Sequence, residues 1–281
     1  MNETGTIIIG LSLIIIMFGM GLSLTVDDFR RVIKYPKAIL LGLLNQLVFL
    51  PIIGYVIVSV LELRPEIAIG IMILAACPGG AVSNIIVNLA KGDVALSISL
   101  TAISSVVSIL TIPFIIQFAL LEFIGAGEKI TLNVPQMIGQ LLAVIIVPVF
   151  VGMLIRAKSS GFAIKMEKPV GVASVILLIL VITGVLIKER SNFVPYFIEA
   201  GLPTIVLNIS TMGLGYLTAV SLKLIKPQAI SIAVESGIQN SALAMTIAIV
   251  TLQNSSLGIS AAIYTLVMYV AGFAVIIYGR K

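Results

Sequence analysis

Apolar runs long enough to cross a membrane recur along almost the entire chain. Nine can be drawn, and each is close to the roughly 20 residues that an α-helix needs to span a bilayer. Hydrophobic residues make up 59% of the chain and charged residues 10%, whereas a soluble domain carries about 25% charged residues. The sequence therefore predicts an all-α membrane protein with nine transmembrane helices. The nine segments are residues 5–25, 36–61, 66–90, 93–121, 134–156, 168–187, 200–223, 227–250 and 256–278.

The composition also excludes several kinds of chemistry. The chain has no histidine, which excludes histidine metal sites and imidazole bases. Its single cysteine, Cys77, permits no internal disulfide. An intramembrane hydrolase would need a nucleophile with a base, and the sequence contains neither a paired acid nor a G-x-S-x-G motif. We therefore expect no enzyme.

The basic residues predict the orientation of the chain in the membrane. Alternate loops carry thirteen lysines and arginines on one side and four on the other. Because positive loops stay cytoplasmic, we expect the N-terminus outside and the C-terminus inside. The segment 156–168 is expected to be the longest cytoplasmic loop. The thirteen are Arg30, Arg31, Lys34, Lys37, Lys91, Arg156, Lys158, Lys165, Lys168, Lys223, Lys226, Arg280 and Lys281, and the four are Arg64, Lys129, Lys188 and Arg190.

One carboxylate, Glu235, lies inside the eighth apolar segment. Moving an ionised side chain to the bilayer centre costs at least about 2.5 kcal/mol, so such a residue faces a cavity, a partner or a bound cation. The residues that follow it bear oxygen atoms or loosen a helix. The stretch predicts a cation site built on a broken helix. These neighbours are Ser236, Gly237, Gln239, Asn240 and Ser241.

A second interruption lies in the third segment, at residues 77–84. Pro78 has no backbone N–H and the following glycine pair tolerates non-helical angles, so this segment is expected to unwind near its middle. The third and eighth segments each follow a leucine-rich stretch ending in a basic residue and proline, at 61–65 and 222–227, and they enter from opposite sides. This placement predicts an inverted repeat of broken helices. Taken alone, the interruption fits a proline kink with small residues for helix packing equally well.

Hydroxyl and amide side chains supply further candidates. Ser97 and Thr101 are spaced to lie on one helix face, where they would form a rung of oxygen atoms facing the break at residues 83–84. Ser105 and Ser108 are expected to bond carbonyls of their own helix.

Three amides and two other side chains have a structural interpretation. Gln46, Asn45 and Asn208 are each interpreted alone as interhelical hydrogen-bonding residues worth about 1 kcal/mol. Cys77 is interpreted as a small buried hydrophobe and Tyr264 as a packing residue.

The oxygen-bearing residue types favour sodium among metal cations. Carboxylate, amide, hydroxyl and carbonyl oxygens suit this hard cation, whereas calcium would require more than one carboxylate. A proton would also use Glu235, so the residues alone leave both cations open.

With these residues in view, the chain resembles the bile acid:sodium symporter family over nearly its full length. The resemblance implies one integral membrane transporter domain, residues 1–281, with an inverted-repeat core containing two broken crossing helices and a panel that moves against it. The panel would comprise about 5–25, 134–156 and 168–187, and the core about 36–121 and 200–278. Bacterial relatives often have ten helices, so we expect the first of these to be missing here. The most specific matching residues are 17–22, 77–80 with Ser83 and Asn84, and Glu235 with Gly237, Gln239, Asn240 and Ser241.

The resemblance also implies two sodium sites that share one carboxylate, and a substrate site beside them. The first sodium site matches Ser83, Asn84, Ser97, Thr101 and Glu235. The second matches Gln46, Glu235 and Gln239, with backbone carbonyls from Ser236 and Ile238. The substrate site matches Gly79, Gly80, Ala81 and Asn240. Ala81 stands where some relatives carry a hydroxyl residue, which removes one donor to the substrate.

The expected function is sodium-coupled symport of an organic anion by alternating access. The substrate would be a bile-acid-like compound or a small carboxylate such as pantoate, carried with two sodium ions and without a cofactor. We expect a monomer in a bacterial inner membrane, with no nucleic-acid partner. The alternatives are an efflux carrier for an anion or metalloid with the same superfold, and a membrane receptor that does not transport.

Overall fold

A computed structural model describes residues 3–124, 132–190 and 193–280. Within these ranges the secondary structure is helical apart from one isolated β-bridge. Seven helices of the described chain are long and apolar enough to cross a membrane. The predicted all-α membrane class is confirmed. Lys129 and Lys281, which contributed to the charge count, lie outside the described residues.

The helices follow one another closely along the chain. The first part contains α1 (Glu3–Ser23), α2 (Val26–Lys34), α3 (Pro36–Leu44), α4 (Leu50–Val60), α5 (Pro65–Ala76), α6 (Ala81–Leu89) and α7 (Val94–Ile124). The second part contains α8 (Val134–Leu141), α9 (Val147–Lys158), α10 (Ser160–Lys188), α11 (Phe193–Ser221), α12 (Lys226–Gly237), α13 (Ser241–Thr246) and α14 (Ile259–Arg280).

Wider π-helical turns continue three of these helices. Asn45–Phe49 joins α3 to α4, Leu142–Ile146 joins α8 to α9, and Ile247–Thr251 extends α13. The first two turns precede Pro51 and Pro148, whose rings cannot fit against the carbonyl four residues earlier, so the preceding turn widens.

The segment between the first two spans is a helix, although its basic residues were predicted to lie in a loop. α2 carries Asp27 and Asp28 in its first turn and Arg31 and Lys34 in its last, the arrangement that the helix dipole favours. The carboxylate of Asp28 accepts hydrogen bonds from the backbone N–H and the hydroxyl of Thr25, at 2.8 and 2.7 Å. This capping, rather than hydropathy, sets the start of α2.

The predicted long loop at residues 156–168 is wrong. α9 ends at Lys158 and α10 begins at Ser160, so only Ser159 separates them. Lys165 therefore lies on the early turns of α10. Hydropathy identifies only the part of a helix that lies in the hydrocarbon layer. It does not detect polar turns that extend the same helix toward the lipid headgroups.

α1 packs against α9 and α10, and the three form one helical group. A Cβ on Gly152 would lie 2.6 Å from the carbonyl oxygen of Phe18, and one on Gly21 would overlap the backbone of Val149. Glycines allow membrane helices to approach this closely.

Two helices are broken near their middles and cross there. The third predicted segment ends its first half at Ala76 and resumes at Ala81, so its predicted unwinding is confirmed. α12 and α13 are similarly separated by residues 238–240. The two breaks meet at an antiparallel bridge between Gly79 and Gln239. Reciprocal backbone hydrogen bonds hold this crossing: Gly80 N–H to Ile238 O at 3.0 Å, and Asn240 N–H to Pro78 O at 2.9 Å.

Candidate cation-binding site

The crossing places four helix ends around one point in the interior. α5 and α12 end there, and α6 and α13 begin there. Helix ends carry unpaired backbone groups, with partial positive charge at the starts and partial negative charge at the ends. The crossing is therefore a polar centre in an apolar protein.

Glu235 lies in the last turn of α12, and its side chain is enclosed by hydroxyl groups. The residue is 3% exposed. One carboxylate oxygen, Oε1, accepts hydrogen bonds from the hydroxyls of Ser83, Ser97 (2.5 Å) and Thr101 (3.0 Å). The Thr101 hydroxyl also lies 2.9 Å from Oε2. Three elements, α6, α7 and α12, thus converge on one carboxylate.

This carboxylate has no cationic side chain beside it. The ion pairs of the described residues join Asp27, Asp28 and Glu199 to arginines, and none involves Glu235. The described residues also contain no cluster of three or more acidic, histidine or cysteine side chains. The loss of hydration of a buried carboxylate must be offset by a partner or a bound cation. The side chains placed to bind a cation together with this carboxylate carry hydroxyl groups.

Gly79 is required at its position by the approach of this carboxylate. A Cβ on Gly79 would overlap Oε2 of Glu235. This glycine therefore makes room for the acid in addition to allowing the helix to unwind.

Asn84 lies one residue beyond Ser83 but is not hydrogen-bonded to Glu235. Its side-chain oxygen Oδ1 is buried and has no hydrogen-bond partner. Of the five residues predicted for the first sodium site, the structure brings four into one hydrogen-bonded cluster, and Asn84 contributes an unused acceptor on the adjacent turn.

The residues predicted for the second site form an amide cluster on the other side of the crossing. Gln46 lies in the first π-helical turn, and its Nε2 donates to the carbonyl of Cys77 at 2.9 Å and to Oε1 of Gln239 at 2.7 Å. Nε2 of Gln239 donates to the carbonyl of Ser236 at 2.9 Å. The carbonyl of Ile238 accepts the N–H of Gly80. Gln46 makes no direct hydrogen bond with the Glu235 carboxylate.

The predicted substrate residues lie at the same crossing. Gly80 precedes α6, and Ala81 is the first residue of that helix. Asn240 is 5% exposed and caps α13, with its Oδ1 accepting the N–H of Leu243 at 3.0 Å. Its side-chain NH₂ group is thereby directed away from the cap.

Several polar residues that were interpreted as structural have the expected contacts. Ser105 and Ser108 bond the carbonyls of Thr101 and Ser105 on their own helix, at 2.6 and 3.1 Å, as predicted. Asn45 bonds Leu41 O at 2.9 Å and the hydroxyl of Thr218 at 3.1 Å, which joins α11 to the first π-helical turn.

Asn208 and Tyr264 lie closer to the crossing than the sequence indicated. Both donate to the carbonyl of Gly237, the last residue of α12, at 2.8 Å. An asparagine in an apolar helix was the available signal, but its partners are 29 and 56 residues away, beyond the reach of local spacing.

Comparisons with known proteins show which family this chain belongs to. Residues 10–195 match the model of the sodium bile acid symporter family. An uncharacterized sodium-dependent transporter of Bacillus subtilis, YocS, is 30% identical over 238 residues, which cover 83% of this chain and 71% of the relative. The probable sodium/metabolite cotransporter BASS1 of Arabidopsis thaliana is 31% identical over 244 residues, covering 86% and 58%. The human ileal sodium/bile acid cotransporter is 29% identical over 238 residues, covering 84% and 67%.

The apolar helices and the polar crossing define an integral, multi-pass membrane protein with a buried acidic site. The chain belongs to the sodium bile acid symporter family. The relatives described above are all named as transporters or cotransporters. The chain spans less than two thirds of the length of the plant relative.

Proposed function

We propose that this protein is a sodium-coupled secondary active symporter of organic anions. The observation that carries the proposal is the Glu235 carboxylate, 3% exposed, surrounded by three hydroxyls and paired with no basic side chain of the described residues. Membership of a sodium symporter family favours sodium over a proton as the compensating cation.

The first sodium ion would bind at the hydroxyl cluster. Carboxylate, hydroxyl and amide oxygens are the ligands that a hard monovalent cation prefers. Glu235 would supply the charge and Ser83, Ser97 and Thr101 neutral oxygens. The unpartnered Oδ1 of Asn84 supports this assignment, because buried acceptors without partners are uncommon.

The second sodium ion would bind at the amide cluster. Gln46 and Gln239 each have a carbonyl oxygen here, and the carbonyls of Ser236 and Ile238 lie at the end of α12. These oxygens accept N–H groups from Gln46, Gln239 and Gly80. The backbone of Glu235 continues directly into this cluster, which would couple the two ions.

The organic anion would bind beside the two ions. The N-terminal end of α6 carries partial positive charge and backbone N–H groups, which suit a carboxylate or sulfate. Gly79, Gly80 and Ala81 present little side chain there, and the NH₂ group of Asn240 would donate to the anion. Bile-acid-like compounds and small carboxylates such as pantoate have this chemistry.

Transport would proceed by alternating access. The group formed by α1, α9 and α10 would be the panel, and the remaining spans, nine crossings in all, would include an inverted-repeat core. The reciprocal hydrogen bonds of the crossing support this symmetry. The charge distribution favours an N-terminus outside and a cytoplasmic C-terminus. The protein would act as a monomer in a bacterial inner membrane.

Uptake by proteoliposomes tests the proposal. Purified protein should accumulate radiolabelled taurocholate or pantoate when an inward sodium gradient is imposed. The variant Glu235→Gln should lose sodium-dependent uptake, because the charge that holds the cations is gone. Glu167→Gln, which changes an exposed glutamate of α10 in the same way, should retain it.

Two results would contradict the proposal. Sodium-dependent uptake by Glu235→Gln at the wild-type level would remove the acid from the mechanism. Export of the anion without sodium would indicate an efflux carrier. Before uptake is measured, a thermal-shift screen of organic anions with and without sodium should identify the substrate as one that stabilises the protein only when sodium is present.

A further inference from the structure

The carbonyl oxygen of Gly237 is held by two fully buried side chains that were not expected to act at the site. It accepts hydrogen bonds from Nδ2 of Asn208 on α11 and from the hydroxyl of Tyr264 on α14, both at 2.8 Å. Nδ2 of Asn208 also donates to the Tyr264 oxygen at 3.1 Å. Both side chains are 0% exposed. These three groups form a closed triangle, which we name the Gly237 clamp.

We infer that Asn208 and Tyr264 are positioning residues for the second cation site, an inference that rests on the proposed function. Neither side chain takes part in the hydrogen bonds of Gln46 and Gln239 that hold the amide cluster together. They act on the backbone between the two carbonyls proposed as cation ligands, those of Ser236 and Ile238.

Successive carbonyls at the end of α12 accept hydrogen bonds from different parts of the protein. The carbonyl of Ser236 accepts from the Gln239 amide at 2.9 Å, and that of Ile238 accepts from Gly80 N–H at 3.0 Å. Both partners belong to the crossing. The Gly237 carbonyl, which lies between them, instead accepts from α11 and α14. The clamp therefore fixes the peptide plane that joins Gly237 to Ile238, and this plane sets where the next carbonyl lies.

Gly237 explains why such a clamp is useful. Glycine restricts its own backbone angles less than any other residue, and within α12 the peptide after it is held through the N–H of Ile238, which donates to Val234 O at 2.8 Å. A larger residue would restrict the backbone but does not fit, because a Cβ at Gly237 would overlap the side chain of Met212 on α11. The clamp thus adds two hydrogen bonds from α11 and α14 to the one that holds this peptide within α12.

The other half of the crossing shows the same arrangement with one difference. Gly79 and Gln239 pair at the bridge, so Cys77 and Gly237, each two residues earlier, occupy equivalent places. The Cys77 carbonyl accepts from the Gln46 amide at 2.9 Å, as the Gly237 carbonyl accepts from Asn208. In the second half, however, the Tyr264 hydroxyl completes the triangle. The hydroxyl of Tyr264 is thus a donor to the Gly237 carbonyl in the second half, whereas the equivalent Cys77 carbonyl of the first half accepts from Gln46, whose amide belongs to the proposed ion site.

The variant Tyr264→Phe tests the inference, because it removes one hydroxyl and preserves the ring that fills the interior. Thr265→Val is the matched control: Thr265 is the next residue of α14 and 1% exposed, and its hydroxyl bonds Ala261 of its own helix at 2.8 Å. Sodium and lithium are titrated separately while thermal stabilisation of the purified protein is recorded.

Loosening the carbonyl ligands should weaken sodium binding and alter the choice between the two ions. Tyr264→Phe should raise the sodium concentration for half-maximal stabilisation about fivefold, equivalent to about 1 kcal/mol. Its sodium-to-lithium ratio should also change, because a looser ring of carbonyls discriminates less by ion size. Thr265→Val should match the wild type in both measurements. Asn208→Ser should shift the midpoint and the ratio in the same direction, and it serves as the test where Tyr264→Phe does not fold.

The inference is overturned if Tyr264→Phe or Asn208→Ser lowers the melting temperature without sodium but leaves the sodium midpoint and the sodium-to-lithium ratio at wild-type values. That result describes a packing role. If instead the wild-type protein shows no stabilisation by sodium, both this inference and the proposed function fail. The wild-type titration therefore separates the two failures.

Discussion

At the scale of single residues, the hydroxyl cluster has more acceptors than protons. Thr101 has one hydroxyl proton, yet the carbonyl of Ser97 and both oxygens of Glu235 lie between 2.9 and 3.0 Å from its oxygen. Oδ1 of Asn84 adds a further unpaired acceptor. Serine and threonine each donate once and accept through two lone pairs. A surplus of acceptors around a buried acid is the condition that a cation relieves.

Replacing Ser97 with alanine should weaken sodium binding without unfolding the protein. The Ser97 hydroxyl lies 2.5 Å from Glu235 and is one of the proposed ligands. Loss of one charge-assisted contact, worth about 1.5 to 3 kcal/mol, should raise the half-saturating sodium concentration of uptake by at least tenfold. Ser105→Ala, in which the lost hydroxyl bonds only Thr101 O of the same helix, should stay within twofold of the wild type. Equal effects of the two variants would mean that Ser97 is not a ligand.

At the scale of helices and the segments between them, α10 is joined to the start of α14 by a small polar network. Nζ of Lys188 donates to the Ser255 hydroxyl at 2.6 Å, and this hydroxyl donates to Oε1 of Glu189 at 2.5 Å. Glu189 is 9% exposed. The network connects the group of α1, α9 and α10 to the rest of the molecule.

Glu189→Ala should destabilise this connection. The Ser255 hydroxyl would lose its acceptor and Lys188 a nearby negative charge, at a cost of about 1 kcal/mol. A loss of this size lowers the melting temperature of a protein near this length by about 2–4 °C. Glu167→Ala, at an exposed position on the same helix, should melt with the wild type. Identical melting of both variants in detergent would show that the network carries no stability.

The arginine at the start of α5 makes a comparable contact with α11. The guanidinium and backbone N–H of Arg64 donate to Glu199, and the guanidinium carbon lies 4.9 Å from the ring centroid of Tyr196. The hydrogen bond with Glu199 raises the pKa of Arg64 above its ordinary value. The guanidinium is charged throughout the physiological pH range, and its contacts hold the first broken helix to α11.

Helix breaks were predictable from sequence only where residue chemistry causes them. The break after Ala76 follows from Pro78 and two glycines, which prevent regular helical hydrogen bonds. The start of α10 was missed because its polar first turns give no hydropathy signal. α2 was missed because a nine-residue segment rich in charged residues resembles a loop unless the Thr25–Asp28 cap is considered.

At the scale of the whole molecule, the crossing is where distant parts of the chain depend on one another. Glu235 was identifiable from sequence because its cost in a membrane is independent of its partners. The Gly237 clamp was not, because hydrogen bonds in a protein interior depend on which helices become neighbours. The buried acid could thus be recognised from the sequence. The roles of Asn208 and Tyr264 could not, because they depend on how α11 and α14 pack.

Transport should respond to membrane potential. Two sodium ions with one monovalent anion carry one net positive charge inward, which is worth about 2.3 kcal/mol per 100 mV. A potential of 100 mV, negative inside, should therefore raise the accumulation ratio of the anion about 50-fold at equilibrium. A potassium diffusion potential set with valinomycin in proteoliposomes provides the measurement. Uptake that does not change with the membrane potential would contradict a stoichiometry of two sodium ions to one monovalent anion.

The broken form of the second crossing helix leaves its first half too short to cross the membrane by itself. α12 has 12 residues, about 18 Å of helix, and cannot span about 30 Å of hydrocarbon alone. Its acid comes 152, 138 and 134 residues after the hydroxyls of Ser83, Ser97 and Thr101. The ribosome therefore delivers the hydroxyl-bearing helices first. The hydroxyls that bond the Glu235 carboxylate have therefore already been synthesised when Glu235 leaves the ribosome.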